Sequence, residues 1–274
     1  MKLYMSVDME GITGLPDSTF VDSNRHNYER GRIIMTEETN YVARAAFDHE
    51  NSEIVVNDSH SKMNNLLVEQ LHPDVQLITG DVKPYSMVQG LDHTYEGAIF
   101  LGYHARAGNR GVMSHSMTNR VRNFFIDDVA VGELGLNAYY AGYYGVPVLM
   151  VSGDNMAAQE AEKLIPHVIT APVKETISRS AVKTLSPKRA GELLQRKTAE
   201  AIQSRSKIQP LVPPSHPTLR IEFTNYGQAE WANLMPRTEL EPGTTIVSYK
   251  AKDIREAYQA MLVMTELADR ATFS

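Results

Sequence analysis

Three apolar runs in this chain each lead into side chains of the kind that bind divalent metal ions. The runs cover residues 3–7, 54–56 and 98–101. The side chains that follow them are Asp8, Glu10, His60 and His104. Because the carboxyl ends of parallel strands meet at one edge of an open sheet, residues far apart in sequence converge there. Aspartate, glutamate and histidine are ligands that zinc and similar ions prefer, so the pattern predicts a metal site at a sheet edge.

The absence of cysteine narrows the kind of metal site. With no cysteine among its 274 residues, the chain has no disulfides, thiolate zinc sites or cysteine nucleophiles. A metal must then be held by histidine and carboxylates, which favours catalytic over structural zinc. The net charge of -6 argues against a nucleic-acid partner. No apolar stretch approaches the roughly 20 residues of a membrane span, and no signal peptide precedes the first strand, so we expect a cytoplasmic protein with no membrane partner.

Alternating strand-like and helix-like segments indicate the fold. Continuous apolar strands separated by helices predict a parallel sheet covered on both faces. We therefore expect an α/β protein with a Rossmann-like three-layer parallel sheet domain over residues 1–172, which carries the metal site. A smaller two-layer α/β domain, residues 173–274, is expected to follow and to contribute to oligomer contacts.

Local capping signals predict where three helices begin. Thr36, followed by two glutamates, is predicted to cap a helix that runs to about His49. Asp154 is predicted to cap the next helix after a buried strand. A serine followed by proline predicts a helix from Pro187 to about Ile202.

Each candidate ligand also has a structural interpretation. Asp8 and Glu10 stand two apart on a strand and project from one face, so they need a cation between them, unless one is protonated or both lie on the exposed rim. His60 and His104 could each be a structural histidine, but their shared position after apolar strands favours ligation. Glu133 lies near a predicted helix start, where the helix dipole favours a carboxylate, and helix capping would explain it equally well.

His115 is a candidate for proton transfer, because an imidazole titrates near neutrality. The chain has no Gly-x-Ser-x-Gly elbow, P-loop, Gly-x-Gly-x-x-Gly or His-Glu-x-x-His motif. Residues 8–13 superficially resemble the Asp-x-Asp-x-Thr loop of haloacid-dehalogenase-type phosphatases, although a glutamate in the second place and the later histidines fit that reading poorly. A magnesium-dependent phosphatase of this type, or a catalytically idle peptide-binding partner of a transporter, are the alternatives.

Six longer strings resemble a family of zinc-dependent, D-stereospecific aminopeptidases of bacilli, and the similarity extends over essentially the whole chain. The strings are residues 5–12 (MSVDMEGI), 57–65 (NDSHSKMNN), 101–106 (LGYHAR), 111–116 (GVMSHS), 131–137 (VGELGLN) and 225–234 (NYGQAEWANL). The resemblance implies hydrolysis of short peptides that begin with a D-amino acid, such as D-Ala-type peptides.

The same resemblance implies a set of site residues and an assembly. Two Zn²⁺ ions per subunit would be held by Asp8, Glu10, His60, His104 and Glu133. Either Asp8 or Glu133 would bridge them. His115 would be the catalytic residue, which moves a proton to the leaving amine or stabilises the tetrahedral oxyanion. The resemblance further implies a two-domain subunit in a homo-oligomer, a homodecamer of stacked rings that encloses the active sites.

Overall fold

The computed structural model describes residues 1–49 and 53–271. In chain order the strands are β1 (Lys2–Val7), β2 (Glu53–Asp58), β3 (Val75–Ile78), β4 (Gly97–Tyr103), β5 (Val121–Ile126), β6 (Val129–Val131), β7 (Val148–Asp154), β8 (Ile169–Ser178), β9 (Ala181–Thr184), β10 (Thr218–Phe223), β11 (Thr238–Leu240) and β12 (Ile246–Lys250). The α-helices are α1 (Tyr28–His49), α2 (Glu133–Tyr143), α3 (Asn155–Leu164), α4 (Pro187–Ser204), α5 (Tyr226–Ala232) and α6 (Ile254–Asp269).

The first sheet is the parallel sheet that the sequence predicts. Its strand order is β3-β2-β1-β4-β7-β8-β9, and all neighbours are parallel except β8 and β9. Every residue of β4 and β7 is buried, as expected for strands covered on both faces. The α1 crossover moves from β1 towards β2, whereas α2 and α3 lead in the opposite direction along the sheet. Right-handed crossovers in opposite directions place helices on opposite faces, which confirms the three-layer arrangement.

The strand order reverses between β1 and β4, which are hydrogen-bonded neighbours. From β1 the chain moves outward to β2 and β3, and from β4 it moves the other way to β7 and β8. In sheets of this kind the crevice at the carboxyl ends of the two switch-point strands is the usual ligand site. Asp8 directly follows β1 and His104 directly follows β4, so both predicted ligands lie at that crevice.

The second sheet is antiparallel, in the order β11-β12-β10-β5-β6, and α5 and α6 pack against it. This confirms the smaller two-layer α/β unit. The two sheets draw strands from both sides of residue 172: β5 and β6 come from the earlier part of the chain, and β8 runs across that position. The division into residues 1–172 and 173–274 therefore stays a prediction, and the strand pairing argues for boundaries that follow the sheets.

The helix starts are partly as predicted. Asp154 caps α3 by accepting hydrogen bonds from Met156 N and Ala157 N, and α4 begins at Pro187, so both predictions are confirmed. The prediction for Thr36 is wrong, because α1 begins at Tyr28 and Thr36 lies inside it. None of the described helices is long and apolar enough to cross a bilayer.

Candidate metal centre

The segment after β1 crosses the end of β4, and the two backbones are in direct contact. Asp8 N–H donates to Leu101 O at 2.8 Å, and Gly11 N–H donates to Gly102 O at 2.7 Å. A Cβ atom on Gly11 would lie 2.1 Å from Tyr103 O, and Gly102 has a φ of +73°, with its Cβ position 2.2 Å from Asp8 O. Only glycine fits at these two positions. Their close approach brings the carboxylates that follow β1 beside the histidine that follows β4.

Five predicted ligands meet in this crevice as two groups that share Asp8. His60 Nδ1 lies 3.3 Å from Asp8 Oδ1 and 3.0 Å from Glu10 Oε2. His104 Nε2 lies 3.4 Å from Asp8 Oδ2 and 3.2 Å from Glu133 Oε2. Each carboxylate oxygen of Asp8 therefore faces a different histidine. All five residues are buried, with at most 8% of their surface exposed.

Backbone carbonyls orient the three histidines of the site. The ring nitrogen of His60 that points away from the carboxylates, Nε2, lies 2.8 Å from Val21 O. His104 Nδ1 lies 3.0 Å from Ala105 O, and His115 Nδ1 lies 2.8 Å from Met113 O. A carbonyl oxygen only accepts, so each of these nitrogens carries the proton. The opposite ring nitrogen is then free to bind a metal or to transfer a proton, an arrangement typical of metal-binding histidines.

The charges of the cluster are strongly coupled. Burial and the neighbouring charge of Glu10 raise the pKa of Asp8 to about 7. Burial opposes ionisation of Glu10, but the cationic His60 outweighs it and holds the Glu10 pKa well below its usual value. Burial also disfavours the charged forms of His60 and His104, yet the carboxylates beside them raise both pKa values well above normal. Without metal, the rings of His60 and His104 are protonated on both nitrogens. Metal binding must therefore release one proton from each ring.

The residues present fit a divalent ion. Asp8 Oδ2 and Glu10 Oε2 are buried, and the groups that face them are the ring nitrogens of His104, at 3.4 Å, and His60, at 3.0 Å. Such oxygens are costly unless a cation lies against them. Two sets have ligand atoms that all lie within 4.8 Å of one another, Asp8 with Glu10 and His104, and His104 with Glu133 and His115. His60 belongs with the first set because its Nδ1 lies within 3.3 Å of both carboxylates.

His115 lies at the border of the cluster. Its ring stacks on His104 with 4.2 Å between centroids, and its Nε2 lies 3.7 Å from Glu133 Oε1. Its side chain is 18% exposed, more than any of the five buried residues. Burial and the nearby His104 lower the pKa of His115, so the neutral imidazole prevails at pH 7. This geometry allows either proton transfer or ligation, and its catalytic role stays a prediction.

The cluster opens into a cavity of about 540 Å³, within the size range typical of small-molecule sites. The residues that line the cavity include Asp8, His115 and Glu133 of the cluster, together with residues 59–63 and 81–83.

Two buried lysines near the site escaped the sequence predictions. Lys83 lines the cavity, and Lys174 of β8 donates to the carbonyl oxygens of Glu10, Ile12 and Leu15 at 2.5–2.7 Å. The strand β8 also contains polar and exposed residues, so its sequence does not single out Lys174. Nothing in the local pattern marks Lys83.

Comparison with known proteins agrees with this geometry. A family model described as D-aminopeptidase matches residues 1–263. The chain belongs to the D-aminopeptidase family. The D-aminopeptidase of Bacillus subtilis (strain 168) is 69% identical over 273 residues, which cover 100% of both chains. A solved structure, the Zn-dependent D-aminopeptidase DppA from Bacillus subtilis, described as a self-compartmentalizing protease, matches with a TM-score of 0.99 at 69% identity and covers 100% of both chains. The phosphatase alternative finds no support in this family membership.

Proposed function

We propose that this D-aminopeptidase family member is a zinc-dependent aminopeptidase that hydrolyses short peptides with an N-terminal D-amino acid. One observation carries the metal chemistry: five buried residues with nitrogen or oxygen ligand atoms converge at the switch point of a parallel sheet, and their carboxylate oxygens face histidine ring nitrogens. The solved relative is described as Zn-dependent, which supports zinc as the ion. The preference for a D-residue rests on the family and on the relatives' names.

Two zinc ions per subunit suit the two groups of ligands. His60 and Glu10 face one oxygen of Asp8, and His104 and Glu133 face the other. Of the two candidate bridging residues, Asp8 is supported because both of its oxygens face histidines. Bound zinc supplies a Lewis acid for the substrate carbonyl and makes water a nucleophile near neutral pH.

His115 moves the proton that hydrolysis requires. Water adds a hydroxyl group to the carbonyl carbon as the peptide bond breaks, and the leaving nitrogen gains a proton. The neutral His115 Nε2, near Glu133 and at the edge of the cavity, can accept a proton from the water and return it to the leaving amine. His115 Nδ1–H donates to Met113 O, and this hydrogen bond keeps the ring in that orientation.

The protein is proposed to work as a cytoplasmic homo-oligomer, a decamer of stacked rings. The description of the relative as self-compartmentalizing supports an assembly that encloses its active sites. Large apolar side chains on and just after α5, Tyr226, Trp231 and Leu234, are 52%, 39% and 66% exposed. Clustered exposed apolar side chains are typical of subunit contacts, so this part of residues 173–274 is a candidate interface.

The test pairs metal content with stereochemistry. Purified protein is assayed for bound metal by mass spectrometry and for hydrolysis of D-Ala-D-Ala against L-Ala-L-Ala. We expect about two zinc ions per chain and cleavage of the D-peptide. Absence of zinc, or hydrolysis of p-nitrophenyl phosphate in place of the peptide, would refute the proposal. Native mass spectrometry of the same sample tests the decamer.

A further inference from the structure

Lys83 is a buried cation on the wall of the cavity that holds the metal cluster. Only 8% of its surface is exposed. Its ammonium group donates to Asn57 Oδ1 at 2.6 Å and to Asp58 O at 2.5 Å. Both acceptors are neutral oxygens. An ammonium group has three protons to donate, so one remains for a further acceptor.

Asp58 and Asp81 favour the charge of Lys83 from a distance, but neither forms a direct ion pair with it. No carboxylate among the described residues forms a salt bridge with it, and the Asp58 carboxylate instead accepts hydrogen bonds from Asn65 and Leu66. Burial lowers the pKa of Lys83 to about 8, which still leaves the ammonium charged at pH 7. A buried charge with no carboxylate in direct contact is unfavourable, so an anion that enters the cavity gains a desolvated partner.

A second lysine on the same wall provides a contrast. Lys62 also lines the cavity, but its side chain is 78% exposed, and its Nζ lies 4.0 Å from Asp81 Oδ2. An exposed, paired lysine contributes little to ligand affinity because water and its partner already satisfy it. Lys83 is therefore the cation of this wall that is suited to bind an anion.

The position of Lys83 sets how far that anion lies from the reacting bond. Asn57 and Asp58 end β2, which neighbours β1, and β1 neighbours β4. Adjacent strands lie about 4.8 Å apart, so Lys83 is displaced by roughly 5–10 Å from the ligands that follow β1 and β4. One peptide residue spans about 3.5 Å. An anionic group one or two residues beyond the scissile carbonyl would therefore reach Lys83, whereas the scissile carbonyl over the metal ligands would not.

We propose that Lys83 binds the free C-terminal carboxylate of the substrate and thereby selects di- and tripeptides with an unblocked C-terminus. The proposal rests on the aminopeptidase function above. The carboxylate accepts the third ammonium proton, while Asn57 and the Asp58 carbonyl hold the lysine in place. A longer peptide carries its carboxylate beyond the reach of Lys83 and loses this contact.

The test compares D-Ala-D-Ala with its C-terminal amide. The two substrates share the scissile bond and differ in charge at the far end. We expect the wild-type protein to prefer the free acid in kcat/KM by about 10- to 100-fold, the range of a hydrogen bond between charged groups, mainly through KM. If the wild-type protein hydrolyses both equally well, the proposal is overturned before any variant is made. If it hydrolyses neither, the aminopeptidase function itself fails.

Three variants then locate the preference. In Lys83→Met, kcat/KM for the free acid should fall to the value for the amide. Lys83→Arg should keep part of the preference for the acid, and Lys62→Met should keep all of it. A purely structural role for Lys83 predicts that both substrates decline by the same factor in Lys83→Met, which would refute the carboxylate contact. Loss of the preference in Lys62→Met but not in Lys83→Met would also refute it.

Discussion

Replacing Lys174 by methionine should destabilise the protein through the loop that carries Glu10. Lys174 is 2% exposed, and its ammonium group donates to the carbonyl oxygens of Glu10, Ile12 and Leu15. Methionine has a similar length but no donor. The Lys174→Met variant therefore keeps most of the packing and removes the lysine donor from three buried carbonyl groups, of which Ile12 O keeps the Leu15 N–H at 3.4 Å.

The magnitude follows from two opposing contributions. Three hydrogen bonds from a charged donor stabilise the fold by about 1.5–3 kcal/mol each. Against them, burial lowers the pKa of Lys174 from 10.5 to about 8. That depression destabilises the fold by about 3 kcal/mol below pH 8, a penalty that disappears as the pH rises from 8 to 10.5. The variant removes both contributions, so we expect a net loss of about 1.5–6 kcal/mol at pH 7.

Urea unfolding at pH 7 in the presence of a metal chelator measures this difference without a contribution from metal binding. Lys183→Met is a matched control, because Lys183 is a β9 lysine whose side chain is 74% exposed and pairs with the exposed Glu175. The control should change the free energy of unfolding by less than about 1 kcal/mol. A Lys174→Met variant as stable as this control would show that the three carbonyl contacts do not stabilise the loop.

Three further predictions concern the metal, the proton and the pH. His60→Ala should lose zinc, whereas His115→Ala should keep zinc and lose about 10²- to 10⁴-fold in kcat; equal zinc loss in both variants would make His115 a ligand. Chelation should abolish hydrolysis and lower the melting temperature, and added zinc should restore both; hydrolysis that persists without metal would contradict the site. Burial raises the pKa of Glu38 from 4.5 to about 7, so its protonated form stabilises the fold below pH 4.5, and this contribution is lost as the pH rises through 7. Between pH 5 and pH 8, the free energy of unfolding in urea should therefore fall by about 2–3 kcal/mol more for the wild type than for Glu38→Gln. If the two proteins show parallel pH profiles, the raised pKa of Glu38 is refuted.

The ligands could be predicted because topology alone brings them together. Asp8, His60 and His104 each follow a buried strand, and parallel strands leave their carboxyl ends at one edge whatever the details of packing. Glu133 was open to a capping interpretation, and in the structure it is the first residue of α2 and also contacts His104. The capping interpretation is wrong, because the N-cap of α2 is Gly132 and the Glu133 carboxylate accepts from Met117 N instead, although the helix dipole still favours its charge.

The errors come from contacts that local patterns do not record. Thr36 resembles a helix cap in sequence, but inside α1 its hydroxyl group donates to Arg32 O at 2.8 Å, four residues earlier, which satisfies it without ending the helix. Strand β5 pairs with β10, which lies about a third of the chain later, and no periodicity encodes such a partner. Lys174 binds backbone oxygens, which any sequence provides, and Lys83 binds one backbone oxygen and the side chain of Asn57, a partner that no local pattern indicates.

The contact between Gly11 and the end of β4 has a consequence for engineering this enzyme. The spacing between the two halves of the cluster depends on backbone against backbone, because the nearest atom to a Cβ at Gly11 or Gly102 is a main-chain oxygen. Any larger residue at Gly11 or Gly102 would shift both halves at once. Among the residues that line the cavity, the exposed Lys62 and Val82 carry no such restriction. A mutant library that keeps the two glycines and randomises Lys62 and Val82 would sample new peptide specificities while the metal centre is inherited intact.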